Sequence, residues 1–236
     1  MVAVNTDASN KPSKLSRAGL VTVGTLASLI TLISIGTYAS GSLDRLATEN
    51  DNTIAGVYAA APPLIQLALY LHIAGGTTAL ILGPFQFSQR LRARFTRAHR
   101  VSGRIYITAV WIGAMGGIAI APYNSAGVIG VAGFGSLAIL WFISGTLAYR
   151  KARARRIDEH RAWMIRNYSL TFAGVMLRAW LPILIGVYSA ATGADVETAF
   201  AWAYGFVPFL CWVPNILVAE WLVRRRGLPG IRLKRA

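Results

Sequence analysis

The residues of this chain whose types and spacing suit chemistry are its three histidines, His72, His99 and His160, and the arginines near them. Two of the histidines sit in matched surroundings. His99-Arg100 is followed by Arg104 and Tyr106, and His160-Arg161 by Arg166 and Tyr168, with the spacing shifted by one residue. Neutral imidazoles from facing helices are suitable axial ligands for haem, and arginines can hold its propionates. On this reading His99 and His160 ligate haem b, ringed by Arg100, Arg104, Arg161 and Arg166. His72 has no second histidine at its level, which excludes a second bis-histidine haem. A quinone needs less: an imidazole and a donor on its two carbonyl oxygens, between flat apolar walls. His72, Arg178, Tyr106 and Trp180 are of the right types.

These residues belong to stripes at helical spacing. His160, Met164, Asn167, Thr171, Gly174 and Arg178 advance by fours and threes, as do His72, Gly76, Ala79, Gly83, Gln86 and Arg90, and His99, Gly103, Tyr106, Val110, Gly113 and Gly117. Small residues let membrane helices approach closely. That does not explain His72, Gln86, Asn167 and Arg178, because polar groups in hydrocarbon are costly and need partners. Arg178 is the sharpest case. It lies about 14 residues into its apolar run, roughly 21 Å along a helix, beyond the reach of snorkelling. An internal polar pocket is the expectation.

The elements that position the stripes follow from hydropathy. The chain has 236 residues, 55% hydrophobic and 14% charged. Apolar runs at 19–40, 64–87, 105–121, 127–149, 164–190 and 199–222 are each long enough to span a bilayer, the third by drawing 101–104 into its first turn. The fold class expected is therefore an all-α integral membrane protein of six transmembrane helices. A four-helix core over 64–190, helices two to five as two hairpins, is flanked by a peripheral first helix and a sixth. Residues 1–18 and 223–236 form tails, and 41–52 a polar outer segment. The run after Lys14 and Arg17 is longer than a signal-peptide core, so a retained first helix is expected. All of the 24 basic residues except Arg45 and Arg178 fall on one side of these spans, which predicts both termini in the cytoplasm.

The net charge of +15 is thus topogenic, with anionic lipid headgroups as partners and no nucleic acid. A lone Cys211, placed inside the sixth helix, excludes an intramolecular disulfide. No HExxH, CxxC, Walker loop or dinucleotide fingerprint is present. Three histidines cannot build a histidine-rich di-iron centre, and with Glu220 at the cytoplasmic end of the sixth run no acid lies deep enough in the spans to orient a Ser-His-Asp base. The leading reading is a redox-linked electron-transfer protein binding haem b or a quinone. One alternative is a non-enzymatic accessory or assembly subunit of a larger membrane complex. Another is a small transporter of an anionic or aromatic solute, with Arg178 as its counter-charge.

The stretches HIAGGTTALILGPFQF…RAHRVSGRIY and EHRAWMIRNYSLTFAGVMLRAWLP resemble a family of predicted bacterial membrane proteins carrying a domain of unknown function. The resemblance covers about 64–184, leaving helices one and six outside. On it His72, His99, Arg100, Gly103, Arg104, His160, Arg161, Arg166 and Arg178 occupy the motif positions. It implies a multi-helix membrane protein, with no activity attached. The bacterial inner membrane is the expected location.

Overall fold

A computed structural model describes residues 14–39, 43–49 and 53–231, and every regular element among them is helical. Helix is the conformation that satisfies each backbone N–H and C=O within its own segment, as hydrocarbon surroundings require. The helices are α1 (Lys14–Ala39), α2 (Leu43–Glu49), α3 (Thr53–Ala59), α4 (Pro63–Gln86), α5 (Gln89–Arg94) and α6 (Thr96–Ile120). They continue with α7 (Gly127–Arg153), α8 (Ile157–Thr171), α9 (Ala173–Thr192), α10 (Val196–Tyr204), α11 (Val207–Leu210) and α12 (Val213–Arg225). Six stretches are long and apolar enough to cross a membrane: Val21–Tyr38, Pro63–Gln86, Thr96–Tyr123, Gly127–Arg153, Ile157–Thr192 and Val207–Arg225. The protein is an all-α, multi-pass membrane protein. Lys11, Arg232, Lys234, Arg235 and most of the 1–18 tail lie outside the described residues.

Four boundaries differ from expectation. The third span starts at Thr96, nine residues earlier than its apolar run. Arg97, Arg100 and Arg104 are exposed along this extension, where long basic stems can carry their charges to the interface. The polar segment 41–52 holds helix α2 and is followed by α3, and their Leu43, Leu46, Ala55 and Tyr58 are buried with Leu69 and Ile120.

The fifth span begins at Ile157 and is interrupted at Phe172. The preceding Thr171 hydroxyl donates to the Asn167 carbonyl at 3.0 Å, a back-bond that bends helices. The sixth span is not the single helix expected over 199–222. Pro208 and Pro214 enter in the first turns of α11 and α12, where their missing N–H groups are tolerated, and the chain breaks before each. Cys211 therefore lies in a break between helices. Asn215 covers freed carbonyls there, its Nδ2 donating to Cys211 at 3.0 Å and across to Ser169 at 3.2 Å.

The most extensive helix pair is α4 with α6, followed by α7 with α8. Glycine sets the first: a Cβ on Gly75 would lie 2.5 Å from the Ala109 carbonyl oxygen, and one on Gly116 2.5 Å from that of Ala68. The backbones touch, as small-residue interfaces permit. The contact runs through Gly75 and not Gly76, around which a Cβ would meet nothing within 4 Å. Helix α7 also packs on α6, α1 packs on α4, and α12 on α8.

Candidate functional site: two polar levels joined by a buried network

The three stripes turn inward. Ala79, Gly83, Gln86, Tyr106, Val110, Gly113, Gly117, Met164, Asn167 and Thr171 are all buried, while Arg90 at the end of its stripe is exposed. The spacing alone placed them, because residues three and four apart share one helix face.

At mid-bundle the polar members satisfy one another. The Tyr106 hydroxyl donates to Asn167 Oδ1 at 2.6 Å and lies 3.2 Å from Thr171 Oγ1. Trp141 Nε1 donates to Thr171 Oγ1 at 2.8 Å. Asn167 Nδ2 donates to the Trp141 carbonyl and to Ser144 Oγ, both at 2.9 Å. Tyr106 is therefore committed to this network and does not join His72 and Arg178. Trp141 and Ser144 on α7 escaped the sequence reading. Their signal was the run Trp141, Ser144, Gly145, Ala148, a fourth stripe without a titratable group.

The basic end holds the matched histidines. His99 and His160 are each the fourth residue of a helix, α6 and α8. They come within electrostatic reach of one another, and Arg92 is within reach of both. Arg100 adjoins His99, and Arg161 adjoins His160. Arg92 lies outside the spans. Partial burial, and then the Arg161 guanidinium, push it below the usual arginine range. Nδ1 of His160 donates to the Ala148 carbonyl at 2.9 Å, which leaves Nε2 as the free nitrogen. Nδ1 of His99 is buried without a partner among the described residues. Arg104 is exposed. Arg166 is elsewhere occupied: Nε and Nη2 pair with both oxygens of Glu220, the second contact at 3.0 Å, and the guanidinium lies over the Trp163 ring.

His72 marks the second level. Its Nδ1 donates to the Gly113 carbonyl at 2.7 Å, and its ring meets Trp141 edge-on at 6.2 Å between centroids. Space beside the imidazole comes from α6: a Cβ on Gly117 would lie 3.0 Å from Nδ1. His99 and Gly117 are eighteen residues apart on one helix, about 27 Å at the helical rise. His160 and Arg178 are also eighteen apart along the fifth span. The two levels are thus separate. Arg178 is within electrostatic reach of His72 and Tyr38. Tyr38 in turn neighbours Tyr58, Tyr70 and Tyr204. Burial, then Tyr38, push the Tyr58 phenol up to about 12, and burial raises Tyr204 as well, so both remain protonated donors. These tyrosines lie on helices far apart in sequence and share no spacing pattern, so the sequence does not mark the cluster.

Fold and interior together define a class: a six-span helical membrane protein with two separate polar levels, each carrying imidazole and guanidinium. The chain belongs to the family described as predicted membrane protein (DUF2306), whose model matches residues 69–223. The match takes in the sixth span, where the resemblance was expected to end near 184. No curated protein and no solved structure matches the chain.

Proposed function

We propose that this is a redox-linked membrane protein that holds haem b between His99 and His160. The reading places α4, α6, α7 and α8–α9 as a four-helix core in a bacterial cytoplasmic membrane, with both termini and the basic end in the cytoplasm. One observation carries it: two imidazoles on different helices approach each other at one end of the bundle among arginines, while the nearby Asp158 and Glu159 are paired with Arg161, Lys151 and Arg156. The donor set fits the group. Ligating histidines characteristically donate their other ring N–H to a carbonyl, as His160 does to Ala148. The unpartnered nitrogen of His99 leaves that ring free to turn toward a ligand. Arg92 and Arg100 suit propionates through charge-assisted hydrogen bonds, and Arg161 joins them by giving up its exposed pairing with Asp158. Arg166 drops out of that set because Glu220 holds it.

Haem b, when bound, supplies one-electron chemistry, and its potential follows from ligand identity and burial. The protein's own part is to fix the His160 tautomer, to neutralise the propionates and to exclude water with the apolar spans. An absorption spectrum of protein purified from haem-replete cells tests the reading. A Soret band that shifts on dithionite reduction is expected, lost in both His99→Ala and His160→Ala. A colourless preparation overturns it.

A further inference from the structure

The polar groups of the second level are lopsided. Arg178 is a donor only, and among the described residues its guanidinium makes a single hydrogen bond, Nη1 to the Gly174 carbonyl of its own helix at 3.0 Å. No described carboxylate pairs with it. Tyr38, Tyr58 and Tyr70 pack in one cluster with Leu69 and Ile73, and Tyr204 is stacked on Phe200 at 4.9 Å. None of their hydroxyls has a hydrogen-bond partner among the described residues. Donors are in excess, in surroundings where each unmet polar group is costly. The opposite character belongs to His72. Its Nδ1–H is committed to Gly113, so the neutral ring presents Nε2 as an acceptor.

A ligand that completes this level must bring an acceptor oxygen for Arg178 and the phenols and a donor O–H for His72 Nε2. It must also be apolar enough to reach the interior of a helical bundle through lipid. A simple anion supplies the first and lacks the second. We propose that the second level binds the headgroup of a quinol–quinone couple. One ring oxygen accepts from Arg178 and Tyr38, and the opposite hydroxyl of the quinol donates to His72 Nε2. Trp141, edge-on to His72, supplies a flat wall of the kind such a ring needs. The assignment deepens the redox reading by giving it a reaction partner of stated class. It stands or falls apart from the haem site, which lies about 27 Å away along α6.

Decylubiquinone titrated into the full chain in nanodiscs, with tryptophan fluorescence as the readout, tests the assignment. Saturable quenching is expected in the wild type. Arg178→Gln should weaken binding by at least about tenfold and Tyr38→Phe by a few-fold, the usual effects of losing a charged and a neutral hydrogen bond. Tyr38→Phe removes only a hydroxyl, which keeps the test clear of misfolding, and Tyr123→Phe, an exposed phenol, should bind as the wild type does. Linear quenching without saturation overturns the proposal. So does unchanged affinity in both Arg178→Gln and Tyr38→Phe. Sodium benzoate competing as strongly as decylubiquinone also overturns it, since the level would then be a plain anion site. Haem spectra are indifferent to every one of these outcomes, so the two assignments fail separately.

Discussion

Arg166 and Glu220 join the fifth and sixth spans through a two-point ion pair, with Nη2 and Oε2 3.0 Å apart and Arg166 only 2% exposed. Glu220 ends up beside Arg166 because the break at Pro214 restarts the last helix along α8. Removing one partner of a buried pair leaves the other charge without compensation. Glu220→Ala should therefore cost about 3 kcal/mol, at the lower end for such pairs because Glu220 is partly exposed. Replacing both, as Arg166→Met with Glu220→Leu, should recover most of the loss. The lone cysteine, Cys211, is fully buried. Its reaction with a thiol-sensitive dye during heating reports these melting points.

The α4–α6 contact predicts opposite signs for neighbouring glycines. Gly75→Ala drives a methyl group into the Ala109 carbonyl and the Gly113 backbone, so overpacking of about 1–3 kcal/mol is expected. Gly76→Ala meets open space and gains helix propensity, at most about 1 kcal/mol. The same thermal assay should show one variant melting lower and the other unchanged or higher. Equal effects would mean that the two helices do not cross where the glycines place them.

Tyr106→Phe tests the buried network apart from either cofactor level. The change leaves Asn167 Oδ1 without its donor, a loss of about 1–3 kcal/mol for a buried unsatisfied group. Stability should fall while decylubiquinone affinity holds, because Tyr106 does not face His72 or Arg178. A fall in affinity without a fall in stability would return Tyr106 to the quinone site.

Asp195 caps α10, its carboxylate accepting from the Thr198 N–H at 2.9 Å and the Thr198 hydroxyl at 2.9 Å. Those hydrogen bonds favour the ionised form and hold its carboxyl below the usual aspartate range. A depressed folded-state value means that the cap is fully effective above the ordinary aspartate value and is lost as pH falls through the lowered one. Amide exchange in 196–204 should accelerate on acidification through that window. Asp195→Asn, which caps without titrating, should flatten the profile.

The sequence by itself determined the class, the number of spans and which faces turn inward. Apolar runs long enough to cross a bilayer leave helix as the solution. Spacing by threes and fours puts Tyr106, Asn167, Thr171 and Gln86 on the inward sides of their helices. It also separated His72 and Arg178 from His99 and His160, since eighteen residues of helix cannot be folded away.

Tertiary structure decided the pairings. Proline breaks in the last span and the bend at Phe172 are local in sequence, but only packing shows that they bring Glu220 to Arg166 and Asn215 to Ser169. Periodicity also could not separate Gly75 from Gly76. They are adjacent residues about 100° apart around one helix, and only the packing of α4 on α6 decides which of the two faces meets it. The cluster of Tyr38, Tyr58, Tyr70 and Tyr204 draws on four helices distant in sequence. Closure of the bundle gathers these phenols and brings Tyr38 within reach of Arg178.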